Sequence, residues 1–265
     1  MFQGEFNGKT LLATGGASGM GLLLCEEFLK YGGNAVLVDI NADALALHVQ
    51  RLNERYAGKV IGVPCDVRDY KQVCNACDEA VKAFNSIDVL VNLAGGAEIR
   101  MLGVAGDLEF CDVPIEVYDW GLDVNLRAQM YFDHAVFKQM RAQMSGVIVN
   151  IGSIAGMEGC PRNIAYSTSK SGAVGGLTMS VALAGAKYNV RCVALSPGPV
   201  LTRKAMSNMK TLLGRAGEPI ELVNMILFLA SSHGAFITGE NILMDGGRIL
   251  MRDKVHGDNN KYGEK

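Results

Sequence analysis

Three side chains with complementary acid–base chemistry fall within eighteen residues of this 265-residue chain: Ser153, Tyr166 and Lys170. Ser153 follows the apolar run Val147-Ile-Val-Asn-Ile-Gly, which reads as a buried strand. Tyr166 and Lys170 stand four apart in a segment of helical character beyond Pro161. Positions i and i+4 of a helix share a face, so this phenol and ammonium face one pocket. A phenol titrates at about 10, too high for a base at neutral pH. A neighbouring cation favours the phenolate and moves Tyr166 towards a useful range. Alone, a Tyr-x-x-x-Lys pair reads equally as a helix surface, so its meaning depends on what surrounds it.

The surrounding pattern alternates from end to end. Short apolar runs over residues 9–14, 35–39, 60–65, 87–92, 146–151, 190–195 and 241–244 read as strands. Helical runs occupy 21–31, 41–56, 69–84, about 114–143, about 162–187 and 218–231. Strands apolar on both faces and separated by helices predict a parallel sheet covered on both sides. No linker, repeat or break in composition interrupts it. The expected fold class is α/β: a single doubly wound Rossmann-type domain over residues 1–250, with a seven-stranded parallel sheet, followed by a polar C-terminal extension at 251–265. In such sheets ligands bind beyond the carboxyl ends of the strands.

Composition narrows the function classes. The chain is 49% hydrophobic and 20% charged, with a net charge of −2, ordinary for a globular protein with a substantial core. No basic face points to nucleic acid. No apolar run reaches the eighteen or so residues that span a bilayer, and the N-terminus lacks a signal-peptide pattern. A cytoplasmic protein is expected. Seven scattered cysteines suit reduced thiols. Cys74-Asn-Ala-Cys77 has no second pair to complete a zinc site, and His48, His134, His233 and His256 have no ligand spacing, so no metal is expected.

The first strand leads into Thr14-Gly-Gly-Ala-Ser-Gly-Met-Gly21 and then a helix. Glycines let the backbone approach a pyrophosphate, and the helix N-terminus offers free N–H groups. Asp39 ends the second strand, where a carboxylate can accept bonds from an adenosine ribose and would repel a 2′-phosphate. Its plainer reading is a helix N-cap, a role Asn41 can fill instead. No arginine follows Asp39, where Ile40, Asn41 and Ala42 come next. The cofactor expected is therefore NAD(H) rather than NADP(H).

With these residues in place, the sequence resembles a classical short-chain dehydrogenase/reductase from about residue 6 to Gly247. The turn matches the family's Thr-Gly-x-x-x-Gly-x-Gly. Asp66-Val67 resembles the pair that meets the adenine, and Asn92-Leu-Ala-Gly95 matches Asn-Asn-Ala-Gly with Leu93 as the departure. Asn125 falls at the family's catalytic Asn, and Ser153, Tyr166 and Lys170 match its Ser, Tyr and Lys. Pro197, Gly198, Val200 and Thr202 lie in the segment that contacts nicotinamide. The resemblance implies that Tyr166 is the general acid/base, that Lys170 lowers its pKa and holds the nicotinamide ribose, that Ser153 donates to the substrate oxygen, and that Asn125 positions a water. It places Gly15, Ser18, Gly19, Met20, Gly21, Asp39, Ile40, Asp66, Val67, Asn92, Ala94 and Gly95 at the cofactor, with Tyr166 and Lys170. These roles suit a reaction that creates or consumes an alkoxide.

The implied activity is an NAD-dependent interconversion of a secondary alcohol and a ketone, with a sugar, polyol or hydroxy acid as first expectation. Hydroxysteroids and 3-oxoacyl thioesters are the alternatives, and a non-catalytic NAD(H)-binding regulatory protein is the alternative of a different class. Substrate-shaping segments are expected at 96–114, 157–162 and 199–213. Arg100, Arg162, Arg203 and Lys204 would clamp an anion, whereas Met157, Met206 and Met209 would line an apolar pocket. Small residues from Ser171 onward permit close helix packing. Together with Met130, Tyr131, Val136, Phe137 and Met140 they predict a homo-oligomeric interface of a dimer or tetramer.

Overall fold

The apolar runs become strands, those at the centre of the sheet with side chains buried on both faces. Strands β1 (Thr10–Thr14), β4 (Val89–Asn92) and β5 (Gly146–Ile151) are buried at every position. Strands at the centre of a sheet covered on both sides have this character. With β2 (Asn34–Asp39), β3 (Val60–Pro64), β6 (Val190–Pro197) and β7 (Asn241–Met244) they form one sheet. In this computed structural model, which describes residues 2–104 and 108–251, the strand order is β3-β2-β1-β4-β5-β6-β7. Every pairing is parallel. The order reverses between β1 and β4, and such a reversal opens a crevice at the carboxyl ends of the strands.

Helices cover both faces. Helices α1 (Gly19–Lys30), α2 (Ala42–Arg55) and α10 (Pro219–Ala230) contribute to one apolar core. On the other face lie α3 (Tyr70–Phe84), α6 (Ala128–Gln143) and α9 (Thr178–Gly185). Caps fix where they start. The Asn41 side chain accepts the Ala44 N–H at 3.0 Å, which leaves Asp39 free of that duty. Asp69 caps α3, and Glu218 and Glu221 form a reciprocal capping box on α10.

Four shorter helices surround the crevice: α4 (Glu98–Met101), α5 (Ile115–Leu122), α7 (Ala155–Glu158) and α8 (Ile164–Gly172). Here the structure departs from the continuous helices expected over 114–143 and 162–187. A wide π turn, Asp123–Arg127, joins α5 to α6, and another, Ala173–Leu177, joins α8 to α9. Such turns interrupt the regular helical ladder. The two meet where a Cβ on Gly172 would lie 3.2 Å from Leu126.

The expected interface also needs correction. Val136 and Met140 are fully buried in the core, and Tyr131 and Phe137 pack partly against it. Only Met130 of that group is exposed, as are Met179 and Leu183 of α9. The anticipated long segment at 96–114 holds α4 and a single turn at Phe110–Asp112. Asp107 and residues 252–265 of the expected extension lie outside the described residues. Among the described residues, no helix is long and apolar enough to cross a membrane, and no group of three or more His, Cys, Asp or Glu is placed to hold a metal.

Candidate active site

Strand β5 ends at Ile151, and Gly152 and Ser153 carry the chain over the lip of the sheet. Helix α8 returns beside it, so residues far apart along the chain converge. Lys170 is buried and donates Nζ to the Ile151 carbonyl at 2.7 Å. The same Nζ lies 5.6 Å from the centre of the Tyr166 ring. The Ser153 hydroxyl lies close enough to favour the ionised Tyr166 phenol, and Ser153 Oγ accepts the Ala155 N–H at 3.1 Å. The phenol and ammonium thus share one face of α8, with Ser153 beside them.

Asn125 sits in the first π turn and is fully buried. Its Nδ2 donates to the carbonyls of Gly96 and Gly121, each at 2.9 Å, and its Oδ1 accepts the Gly96 N–H at 3.0 Å. Both amide N–H groups are therefore committed to the main chain. Gly95 lies between Asn125 and Lys170: a Cβ there would be 2.5 Å from Asn125 Oδ1 and 3.8 Å from Lys170 Nζ.

The electrostatics differ from the sequence expectation. Burial pushes the Tyr166 phenol above its ordinary value, outweighing the Ser153 hydroxyl and the Arg203 and Arg100 guanidiniums that pull it down. Burial also lowers the Lys170 pKa to about 8. An ammonium displaced towards neutrality is a weaker source of field.

The cofactor-side residues divide into two groups. Thr14 Oγ1 accepts the Ala94 N–H at 3.0 Å, joining the ends of β1 and β4 at the switch point. Asp39 Oδ2 accepts the Ala17 N–H at 3.1 Å, holding the carboxylate against the glycine turn, and Ile40 beside it is exposed. Ser18 makes no side-chain cap on α1, so it satisfies none of that helix's first-turn N–H groups. Gly198 packs so closely that a Cβ would lie 2.7 Å from Asp245. Thr202 and the half-buried Pro197 flank the buried Val200 in the same loop.

Three more of the residues expected at the cofactor have partners within the chain. The Asn92 side chain is buried, and its Nδ2 donates to Asp133 Oδ1 and Asn150 Oδ1, both at 2.8 Å. Asp66 is already engaged by Arg68, with Arg68 Nη2 donating at 2.6 Å. That guanidinium holds its carboxyl below the usual range. Val67 packs in the core beneath α3 and α6.

Sequence reasoning passed over several residues. Glu98, noted only as a loop charge, is buried and accepts two backbone N–H groups of α8. Asp133, unremarked within the helical run, lies buried and bonded to Asn92 and Asn150. Arg248 is buried after the last strand, where its Nη1 donates to the Lys210 carbonyl at 3.1 Å. Its Nε approaches Glu158 at 3.8 Å. The one usable signal was Asn150 within an otherwise apolar strand, because a buried amide needs polar partners.

Comparison with known proteins agrees with this geometry. Residues 9–212 match the family model for short chain dehydrogenase. The chain is 30% identical to 7alpha-hydroxysteroid dehydrogenase of Bacteroides fragilis over 269 residues, covering 95% of this chain and 98% of the relative. It is 32% identical to cyclopentanol dehydrogenase of Comamonas sp. over 255 residues, covering 92% and 98%. Among solved structures it resembles an NAD+-bound xylitol dehydrogenase, with a TM-score of 0.82 and 28% identity over 92% of this chain and 100% of that one. The glycine turn at the β1–β4 switch and the Ser153–Tyr166–Lys170 grouping at the end of β5 thus occur in a chain that belongs to the short-chain dehydrogenase/reductase family.

Proposed function

We propose that the protein is an NAD-dependent oxidoreductase that interconverts a secondary alcohol and a ketone, with Tyr166 as general acid/base. The observation carrying this reading is the convergence of Ser153, Tyr166 and Lys170 beside the crevice that the glycine turn opens. The residues fit the cofactor. Gly19 has φ +51° and nothing within 4 Å of a Cβ position, which leaves open space at the N-terminus of α1 for a pyrophosphate. Gly15, Ser18, Met20 and Gly21 would form the rest of that cradle. Asp39 and Ile40 would receive the adenosine ribose, and Asp66 and Val67 would edge the adenine. Asn92, Ala94, Gly95, Pro197, Gly198, Val200 and Thr202 would surround the nicotinamide half, with Tyr166 and Lys170 at its ribose.

When bound, NAD(H) supplies the acceptor or donor of hydride. The protein's residues manage the proton and the oxygen. Ser153 donates a hydrogen bond to the substrate oxygen, stabilising alkoxide character. Tyr166 takes the hydroxyl proton in oxidation and returns it in reduction. Lys170 stabilises the phenolate, and Asn125 fixes the Gly95–Gly96 main chain beside it.

A sugar, polyol or hydroxy acid is the proposed substrate class. Arg100 and Arg203 both act on Tyr166 electrostatically, and neither has an ion pair among the described residues. Unpaired guanidiniums beside the reacting group support the hydroxy acid. The exposed Met130, Met179 and Leu183 support a homo-oligomer, dimer or tetramer, for a cytoplasmic enzyme. The proposed unit is residues 1–250, with 251–265 as an extension. A Tyr166→Phe variant should bind NADH like wild type and lose turnover of every alcohol that wild type oxidises. Undiminished turnover overturns the role of Tyr166.

A further inference from the structure

Glu98 is fully buried, with 0% of its surface exposed, an uncommon state for a carboxylate. Its two oxygens divide their work. Oε1 accepts the Ala165 N–H at 3.0 Å, and Oε2 accepts the Tyr166 N–H at 3.1 Å. Helix α8 begins at Ile164, so these are first-turn donors that no intrahelical carbonyl can reach. Asn163, at the usual capping position, offers α8 no side-chain bond. The cap comes instead from a residue 67 positions earlier in the chain, and the positive end of the helix favours its charge, while burial still pushes the carboxyl above its ordinary range.

The surroundings leave the carboxylate little freedom. A Cβ on Gly121 would lie 2.7 Å from Ala165 Cβ and 3.3 Å from Glu98 Cβ, so α5 packs against both partners. The Gly121 carbonyl also accepts Asn125 Nδ2 at 2.9 Å and Ser169 Oγ at 3.4 Å. Immediately before Glu98, Gly95 and Gly96 pack on Asn125, Lys170 and Arg100. One side chain therefore joins the wall of the crevice to the turn that presents the phenol.

We propose that Glu98 is a positioning residue for the reaction: its carboxylate fastens segment 96–101 to the first turn of α8 and so fixes Tyr166 relative to the crevice wall. This rests on reading Tyr166 as the proton carrier. Glutamine at this position preserves the shape and one acceptor oxygen, but turns an N–H donor towards a backbone N–H. Alanine removes both acceptors.

The test measures Glu98→Gln and Glu98→Ala for steady-state kinetics, NADH binding by fluorescence, and hydrogen exchange of the Ala165 and Tyr166 amides. Exchange at those two amides should accelerate in both variants, more in Glu98→Ala. Because a misplacement of about 1 Å can cost 10²-fold, kcat should fall roughly tenfold in Glu98→Gln and roughly 100-fold in Glu98→Ala. NADH affinity and KM should stay within about twofold, since the groups holding ligand are untouched. Faster exchange with wild-type kcat would reduce Glu98 to a stability cap and overturn the proposal. So would unchanged exchange, or equal losses in kcat and NADH affinity in the folded Glu98→Gln protein. Wild type that binds NADH yet turns over no alcohol or ketone would sink the dehydrogenase reading itself, and Glu98's catalytic role with it.

Discussion

Lys170 and Ile151 are joined by a 2.7 Å hydrogen bond from Nζ to the last carbonyl of β5. The bond anchors an ammonium that burial otherwise disfavours, with its pKa lowered to about 8 against an ordinary 10.5. The sign of the linkage follows. The folded state binds this proton more weakly than the unfolded chain, so the penalty is full below pH 8 and vanishes above about 10.5. A shift of that size corresponds to roughly 3 kcal/mol, less about 1 kcal/mol for the lost hydrogen bond on removal.

Lys170→Met should therefore abolish turnover while raising stability at pH 7 by about 2 kcal/mol. Its unfolding free energy should also lack the rise between pH 8 and 10 that wild type shows. Urea unfolding at both pH values measures this. Equal slopes in the two proteins would contradict the burial argument.

Gly95 tests the other side of the crevice. It holds φ +148°, and a Cβ would fall 2.5 Å from Asn125 Oδ1. Gly95→Ala should displace Asn125 from its bonds to Gly96 and lower kcat by about 100-fold. A Gly95→Ala enzyme with wild-type kcat would show that the Gly95–Asn125 contact is unimportant.

How much of this was legible in the sequence follows from the range of the interactions. The strands, the glycine turn and the caps at Asn41 and Asp69 are local, set by periodicity and by side chains two or three residues from their partners. The grouping of Ser153 with Tyr166 and Lys170 needs only one strand and the next helix. Glu98 could not be read this way, because its partners are 67 and 68 positions away. Helix periodicity marked an apolar stripe on α6 without saying which residues meet the sheet, hence the misplacement of Val136 and Met140. Asn92 is a related case: the motif located it at a strand end, but its side-chain partners, Asp133 and Asn150, lie 41 and 58 positions away.

Asp39 sets the cofactor prediction. Its carboxylate is held by the Ala17 and Asn41 N–H groups at 3.1 and 3.0 Å, at the carboxyl end of β2. A 2′-phosphate placed there meets like charge, and the exposed Ile40 offers no counter-charge. Asp39→Ser with Ile40→Arg should shift the NAD-to-NADP preference by about 100-fold, roughly 2.7 kcal/mol, towards NADP. The measurement is kcat/KM for both cofactors with one alcohol. An unchanged ratio would remove Asp39 from the selectivity argument.

Asp133 gives the last prediction, a pH dependence opposite to that of most paired carboxylates. It is buried below the crevice, accepting Asn92 Nδ2 at 2.8 Å and Asn150 Nδ2 at 3.0 Å. Burial dominates those two bonds and pushes its pKa up to about 7 from 3.8. The folded state therefore holds the proton more tightly than the unfolded chain. The cost of the buried charge is absent below about pH 4, grows as pH rises and is complete above 7. Wild type should lose stability across that window by a few kcal/mol, up to about 4. Asp133→Asn carries no titrating group there and should show a flatter profile, even though its amide pairs less well with two neighbouring amide donors and lowers stability throughout. Comparing the slopes of unfolding free energy between pH 4.5 and 7.5 separates the two effects. A mutant slope as steep as wild type would assign the pH dependence to other groups.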